Sequence, residues 1–351
     1  MSYEDGWNAL NLNMPPRVPR TEYSLEFNWE VIRHVTGIDV TNKSDEETKQ
    51  KASNAMIKIF NYDFMWSVLT HNNVFGTKRT DMGHAVYLND RSDLRGKGKP
   101  LFTDPEKALK MDPWELYGTV DEKKAIAEYN EHFKRCCTDW PNAVNMTGIY
   151  ITLISGMIEI FGWDMLLEAA GTDQNAFGDM VNRYAGWISQ YFNALAKSDS
   201  PVVMIHDDIV WTQGAFIQPA WYRRFVFPNY KKLFAPLREA GKIIMYTSDG
   251  NYTQFIDDIA PYVNAFVMEP TTDMAYIAEH YGKTHAFVGN ADTRILLSGT
   301  KEDIRAEVKR CMDIGKKYPG FFMAVGNHIP ENTPLDNVMY YNEVYEELSK
   351  R

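Results

Sequence analysis

The sequence has few cysteines and lacks the segments that mark secreted proteins. It contains three cysteines, Cys136, Cys137 and Cys311, among 351 residues. A disulfide framework needs more cysteines, spread over loops, and Cys311 follows Ile304 and Val308 at the spacing of a buried helix face. The first residues contain neither a basic start nor an apolar run, so we expect no signal peptide and a cytoplasmic location.

Long apolar runs and an excess of basic residues are also absent. The most apolar long stretch, residues 144–163, contains Asn145, Gly156 and Glu159 and is too polar for a membrane span. The 37 Lys and Arg residues are outnumbered by 47 Asp and Glu residues, which gives a formal net charge of -10. Because an acidic surface repels phosphate groups, we expect neither nucleic acid nor a membrane as a partner.

Several motifs of well-known enzyme classes are missing. The sequence has no G-x-G-x-x-G turn, no P-loop, no nucleophile elbow and no CxxC pair. These absences argue against dinucleotide-binding folds, P-loop nucleotide hydrolases, serine hydrolases of the α/β type and thioredoxin-like redox enzymes. The composition is otherwise ordinary for a globular protein with a large core.

Short apolar runs that alternate with helical patterns dominate what the sequence does contain. About eight such runs occur, at 62–70, 84–88, 142–149, 201–205, 242–246, 264–268, 285–288 and 321–325. Runs without polar alternation are typical of parallel strands buried on both faces. We therefore predict an α/β fold, a single (β/α)8 TIM-type barrel over residues 61–351 with an N-terminal helical arm at 1–60. A doubly wound open sheet is the alternative.

Two capping patterns predict where helices begin. Ser44-x-x-Glu47 precedes an amphipathic segment that ends near residue 60, and Thr300-x-x-Asp303 opens the segment 301–317. Both patterns resemble the capping box, in which two side chains satisfy backbone N–H groups at a helix start.

Polar side chains follow five successive predicted strands, at the strand ends where barrel enzymes place their active sites. These residues are His206, Asp207, Asp208, Asp249, Glu269, Asp292 and His328. Asp208 and Asp292 are equally well explained as helix N-caps, and Asp249 could belong to a simple turn. Glutamate is a poor helix N-cap, so a catalytic or ligand-binding role explains Glu269 better than a helix start does.

Histidine and carboxylates that converge on one barrel mouth suit two kinds of chemistry. They could hold a divalent metal of the zinc type, or they could perform acid–base catalysis without a metal. Asp249 and Glu269 end consecutive strands, and two carboxylates that close repel unless a proton or a cation lies between them. We predict one zinc ion held by Asp249 and Glu269, with His206 or His328 completing the site. The alternative is that the carboxylates share a proton, or pair with Arg294 or Lys242, and bind no metal.

Four segments together resemble the C-terminal half of uroporphyrinogen decarboxylase-like proteins. They are Ile244–Asn251, Met268–Pro270, Val288–Asp292 and Gly326–His328, the last ahead of Thr333-Pro334-x-x-Asn337. The segment beginning at Gly148 is similar to the one that precedes the central helix of that family. The resemblance covers about 140–350, and residues 1–140 match only loosely.

The resemblance implies one of two activities, decarboxylation or methyl transfer. Porphyrinogen decarboxylases carry an N-terminal arginine-rich segment, whereas residues 10–40 here contain only Arg17, Arg20 and Arg33. Thiol-methylating members carry His-x-Cys before Gly-Asn, where this sequence has Thr247–Asp249. The chain looks more like the methyltransferases that transfer a methyl group from a methoxylated donor, such as an aromatic methyl ether, to a corrinoid.

The resemblance implies roles for the residues at the strand ends. We expect Glu269, Asp249 and His206 to be catalytic. The expected substrate contacts are Asp207, Trp211, Phe216, Tyr246, Asn290 and His84. The corrinoid-carrying partner protein would dock at the barrel mouth, lined by loops 71–84 and 211–217, and a homodimer is compatible with the sequence. The alternatives are a decarboxylase of a tetrapyrrole or other carboxylated substrate and a non-catalytic binding protein on the same scaffold.

Overall fold

The computed structural model describes residues 2–81 and 100–351. The chain divides into two compact units, each assembled from separate stretches of sequence. The terminal unit comprises residues 1–66, 134–145 and 264–351, and the central unit comprises residues 67–133 and 146–263. The predicted strand at 84–88 and His84 lie outside the described residues.

The described residues form fifteen α-helices and ten strands. The helices are α1 (Tyr3–Leu10), α2 (Trp29–Thr36), α3 (Glu46–Ile59), α4 (Pro105–Leu109), α5 (Pro113–Tyr117), α6 (Glu122–Asp139), α7 (Ile154–Thr172), α8 (Gln174–Ala196), α9 (Pro219–Phe225), α10 (Phe227–Glu239), α11 (Ile256–Ile259), α12 (Met274–Tyr281), α13 (Thr293–Ser298), α14 (Lys301–Gly315) and α15 (Leu335–Leu348). The strands are β1 (Phe64–Met65), β2 (Val144–Asn145), β3 (Thr147–Ile149), β4 (Val202–His206), β5 (Val210–Trp211), β6 (Gly214–Ala215), β7 (Ile243–Ser248), β8 (Ala265–Met268), β9 (Ala286–Val288) and β10 (Phe321–Phe322).

The central unit is built on three parallel strands. β3 pairs with β4, and β4 pairs with β7 over five residues, so that His206 lies beside Thr247. All five residues of β4 are buried, as expected for a strand covered on both faces. A short antiparallel hairpin of β5 and β6 follows β4 directly.

The terminal unit contains further parallel strands. β1 pairs with β2, β8 with β9, and β9 with β10. Each of β8, β9 and β10 is followed by a helix, which is the βα repeat that the sequence predicts. None of the helices in the described part of the chain combines the length and the apolar character that crossing a membrane requires.

The N-terminal 60 residues are largely helical, but one segment within them behaves as a strand. Arg20 lies in a parallel bridge with Met323, and its carbonyl oxygen accepts a hydrogen bond from the Asp63 backbone N–H at 2.8 Å. Prolines at 15, 16 and 19 disfavour a helix here and favour extended backbone. Only one residue separates β2 from β3, so the two occupy one strand position. With the Arg20 segment, the described residues then contain parallel strands at eight positions, the number that a (β/α)8 barrel requires.

Helix caps agree with the sequence in one case and differ by one residue in another. Thr300 and Asp303 form the predicted capping box at the start of α14. The predicted cap Ser44 is wrong, because Asp45 caps α3 and accepts a hydrogen bond from the Thr48 backbone N–H at 2.8 Å. An ionised carboxylate is the better acceptor at a positively polarised helix N-terminus.

Candidate functional site

Three side chains of the central unit converge where β4 and β7 end. His206, Asp208 and Asp249 each offer a metal-ligating atom, and these atoms all lie within 4.8 Å of one another. His206 Nε2 is 3.1 Å from Asp208 Oδ1, and the same oxygen accepts a hydrogen bond from the Asp249 backbone N–H at 2.8 Å. His206 and Asp208 are buried, whereas Asp249 is exposed. The cluster is therefore open to solvent on the Asp249 side.

The other ring nitrogen of His206 determines what faces Asp208. Nδ1 lies 3.1 Å from the carbonyl oxygen of Tyr150, which can only accept a hydrogen bond. Nδ1 must therefore carry a proton, and in a neutral imidazole Nε2 then presents a lone pair to a carboxylate oxygen. Two such acceptors repel each other, so either a proton or a cation must lie between them.

The donor set fits a divalent cation of the zinc type. Imidazole nitrogen and carboxylate oxygen are both zinc ligands, and tetrahedral ligands at about 2.1 Å from an ion lie about 3.4 Å apart. The 3.1 Å between Nε2 and Oδ1 is close to that separation. Three protein ligands would leave a fourth position open, which is the arrangement of catalytic rather than structural zinc sites.

Asp207, between the two buried cluster residues, serves the fold. Its Oδ1 accepts hydrogen bonds from the backbone N–H groups of Leu153 and Ser155 at the start of α7, and its Oδ2 accepts one from the Tyr230 hydroxyl at 2.6 Å. Burial raises the pKa of Asp207 to about 6, against the opposing effect of the Tyr230 hydrogen bond. Both carboxylate oxygens are thus engaged inside the protein, although the sequence suggested a substrate contact.

Tyr246, another predicted substrate contact, is also part of this buried network. Its side chain is fully buried, and its hydroxyl donates a hydrogen bond to the carbonyl oxygen of Asp207 at 3.2 Å. Burial raises the pKa of Tyr246 well above its usual value. The residue supports the strand end from within the core.

Trp211 and Phe216, on the β5–β6 hairpin, form an aromatic cluster with Trp163. Ring centroids are 5.9 Å apart for Trp163 and Trp211, 5.6 Å for Trp163 and Phe216, and 5.3 Å for Trp211 and Phe216. Trp211 is 47% exposed, so its ring is available to a ligand. The Asn251 backbone N–H donates to the carbonyl oxygen of Trp211 at 2.9 Å, which ties the hairpin to the turn after Asp249.

Gly250 makes this close approach possible. It has a φ of 82°, and a Cβ atom there would lie 2.7 Å from the backbone of Trp211. Any other residue at this position would push the hairpin away from the turn. The aromatic cluster is therefore held beside the three-residue cluster by backbone contacts.

The remaining predicted residues belong to the terminal unit. Glu269 follows β8 and accepts a hydrogen bond from the side chain of Asn327, and His328 is exposed. Asn290 is fully buried. Its side-chain N–H groups donate to the carbonyl oxygens of Glu269 and Thr272, and its Oδ1 accepts from Arg310 at 3.0 Å. Asn290 thus holds loops together in this unit.

Three residues around the cluster were not predicted from the sequence, and Asp208 was not among the predicted metal ligands. Ser155, Tyr150 and Trp163 lie in an apolar stretch that looks like ordinary core in sequence. Asp208 was equally compatible with a helix cap, but the described structure has no helix starting there. Asp292, by contrast, does cap α13 and accepts from the Arg294 backbone N–H.

The family profile and the curated relatives that match this chain carry the same description. The sequence profile described as Uroporphyrinogen decarboxylase (URO-D) matches residues 94–348. A uroporphyrinogen decarboxylase from Carboxydothermus hydrogenoformans is 26% identical over 211 residues, 59% of this chain and 58% of that protein. One from Thermus thermophilus is 28% identical over 162 residues, 46% of each chain. The chain thus matches about half the length of these relatives.

A solved structure shows the same fold over nearly the whole chain. A methyltransferase from Methanosarcina mazei is 17% identical, with a TM-score of 0.64, and the match covers 97% of this chain and 96% of that one. At this identity the likeness concerns the fold alone. Together with the family match it confirms the predicted α/β fold, a (β/α)8 barrel.

Proposed function

The chain belongs to the uroporphyrinogen decarboxylase family, and we propose that it is a methyltransferase that uses a methoxylated donor. The proposed acceptor is the Co(I) corrinoid of a partner protein that docks at the barrel mouth, and the proposed donor class is aromatic methyl ethers. The observation that carries the proposal is the cluster of His206, Asp208 and Asp249, because its donor atoms suit a Lewis-acidic cation.

The N-terminal arginines argue against a tetrapyrrole with many carboxylates. Arg17 is paired with Asp63 at 2.6 Å and with Asp5 at 3.3 Å. Arg20 is fully buried and paired with Glu22 at 3.2 Å. Arg17 and Arg20 are thus committed to internal carboxylates, and Arg33 alone of the three N-terminal arginines is exposed. A polycarboxylate substrate needs several accessible arginines.

The cluster supports methyl transfer through the leaving oxygen of the donor. In the proposed reaction the Co(I) electron pair forms the bond to the methyl carbon, and the carbon–oxygen bond breaks with its electrons on the phenol oxygen, which then takes up a proton. A divalent ion held by His206, Asp208 and Asp249 would act as a Lewis acid at that oxygen. Asp249, the exposed member, lies on the side from which a donor can approach.

Neighbouring residues would position the donor and complete the site. The exposed ring of Trp211 offers a face on which an aromatic donor can stack, which supports the choice of aryl over alkyl ethers. Glu269 and His328 stay proposed as further ligands or as the proton donor.

Methyl transfer can be measured directly with a reduced corrinoid protein and a panel of methoxyarenes. The visible spectrum of the corrinoid should change to that of its methylated form with at least one donor. Asp249→Asn should abolish the change, and Asp199→Asn, an exposed carboxylate before β4, should not. Failure with every donor, together with CO₂ release from uroporphyrinogen, would establish the decarboxylase instead.

A further inference from the structure

Ser155, in the first turn of α7, contacts three successive residues at the end of β4. Its backbone N–H donates to Asp207 Oδ1 at 2.8 Å. Its Oγ accepts from the Asp208 backbone N–H at 2.7 Å and lies 3.3 Å from His206 Nδ1. The side chain is fully buried. One small residue thus fixes both buried members of the cluster and the aspartate between them.

The contact with His206 fixes the orientation of the imidazole ring. Because Tyr150 offers Nδ1 a carbonyl oxygen, Nδ1 carries the proton, and Ser155 Oγ uses its second lone pair as an additional acceptor. The ring of Tyr150 stacks on the imidazole with centroids 3.7 Å apart and planes 8° apart. Rotation of the ring would break all three contacts, so Nε2 is held toward Asp208.

We propose that Ser155 is a positioning residue that presents His206 Nε2 and the Asp208 carboxylate to one divalent cation. The inference rests on the proposed function for the identity of the cation. Ser155 itself does not belong to the ligand set. Groups that orient a ligating histidine through its second nitrogen typically contribute 10- to 100-fold, in rough terms, to metal affinity.

Substitution at Ser155 tests the proposal, with Ser200 as the matched control. Ser200 is also fully buried, and its hydroxyl donates to the Val202 carbonyl oxygen at 2.7 Å, at the opposite end of β4. Zinc affinity would be measured by competition with a chromophoric chelator, and ligand geometry by the visible spectrum of the Co(II)-loaded protein. Ser155→Ala should weaken zinc binding about 10- to 100-fold and alter the cobalt spectrum, whereas Ser200→Ala should change neither. Ser155→Thr, which keeps the hydroxyl, should restore both.

A second measurement does not depend on the metal. In ¹⁵N-histidine-labelled, metal-free protein, His206 should give a slowly exchanging Nδ1–H signal, assigned with His206→Gln. Ser155→Ala should make this proton exchange faster. A wild-type protein without the signal, or an unchanged signal and unchanged zinc affinity in Ser155→Ala, overturns the proposal. If the wild type binds no zinc, the proposed metal site is wrong, and the Nδ1–H signal alone decides the role of Ser155.

Discussion

His206 and Asp208 face each other with Nε2 and Oδ1 3.1 Å apart, while the second nitrogen of the imidazole is bound to the carbonyl oxygen of Tyr150. The two residues flank Asp207 and are two positions apart in sequence, so a single strand end supplies the whole pair. Since both atoms are hydrogen-bond acceptors when the imidazole and the carboxylate carry no extra proton, either a proton or a bound cation must lie between them.

Asp207 should be important for stability. Asp207→Ala would leave the Tyr230 hydroxyl and two backbone N–H groups of α7 without their acceptor. We expect the free energy of unfolding to fall by at least about 3 kcal/mol, since three groups lose their acceptor and each buried unsatisfied group costs about 1 to 3 kcal/mol. Urea unfolding measures the change. Asp173→Ala, which removes an exposed cap of α8, should cost only about 1 kcal/mol. Equal losses in the two variants would contradict the assignment.

Arg20 should stabilise the terminal unit far more than an exposed arginine. Its guanidinium is paired with Glu22 and lies 4.8 to 5.6 Å from the centroids of four aromatic rings. Arg20→Ala leaves the buried Glu22 uncompensated and should lower the free energy of unfolding by about 3 to 5 kcal/mol.

The control is Arg305→Ala, which breaks an exposed pair with Glu347. This change should cost far less than Arg20→Ala, because exposed ion pairs are weak. Denaturant unfolding of both variants provides the comparison. If Arg20→Ala lowered the free energy of unfolding by less than Arg305→Ala does, Glu22 would have to be stabilised without its partner.

Glu26 should make the protein less stable as the pH rises. Burial raises the pKa of Glu26 from 4.5 to about 7, so the folded state favours the neutral carboxyl. Stability is therefore highest below the unfolded pKa and declines as the pH rises from there through about 7. Glu26→Gln removes this dependence. The difference in the free energy of unfolding between Glu26→Gln and wild type should therefore grow by about 2 to 3 kcal/mol, in favour of the variant, from pH 5 to pH 8.

Thermal and urea unfolding at both pH values check this expectation. Glu47→Gln, an exposed glutamate on α3, should show no comparable gain. A constant difference between Glu26→Gln and wild type across the range would mean that the carboxyl is solvated.

Much of the fold was predictable, because buried parallel strands give apolar runs that no other element imitates so regularly. β4, β7, β8 and β9 begin within one residue of their predicted starts and end within two of their predicted ends. The extended segment around Arg20 was not predictable, since it is short, charged and flanked by prolines. Its strand character comes from pairing with Met323, about 300 positions away in sequence.

The candidate site was predictable only in outline. Strand-end position identified His206 and Asp249, but nothing in the sequence distinguishes Asp207 from Asp208. Which of two adjacent aspartates serves the core depends on the alternating directions of side chains at a strand end. Ser155 and Tyr150 were hidden for a different reason, because their roles arise from contacts about 50 residues away in sequence.

Trp211 should contribute to donor binding. Removing its exposed ring by Trp211→Ala should raise the KM for an aryl methyl ether about 3- to 10-fold, because stacking between aromatic rings contributes about 0.5 to 1.5 kcal/mol. Steady-state methyl transfer at varied donor concentration gives KM and kcat separately. Trp114→Ala, at another exposed tryptophan of the central unit, should leave KM unchanged. A fall in kcat with constant KM would place Trp211 outside the donor site.

Whether His206, Asp208 and Asp249 hold a divalent ion is measured most directly by elemental analysis of protein purified without chelators. Wild-type protein should contain about one equivalent of zinc per chain, as expected of a single catalytic site, and His206→Ala and Asp208→Asn should contain almost none. Glu269→Gln shows whether that carboxylate is a further ligand. Zinc below about a tenth of an equivalent in the wild type, or zinc retained in His206→Ala, would contradict the proposed site.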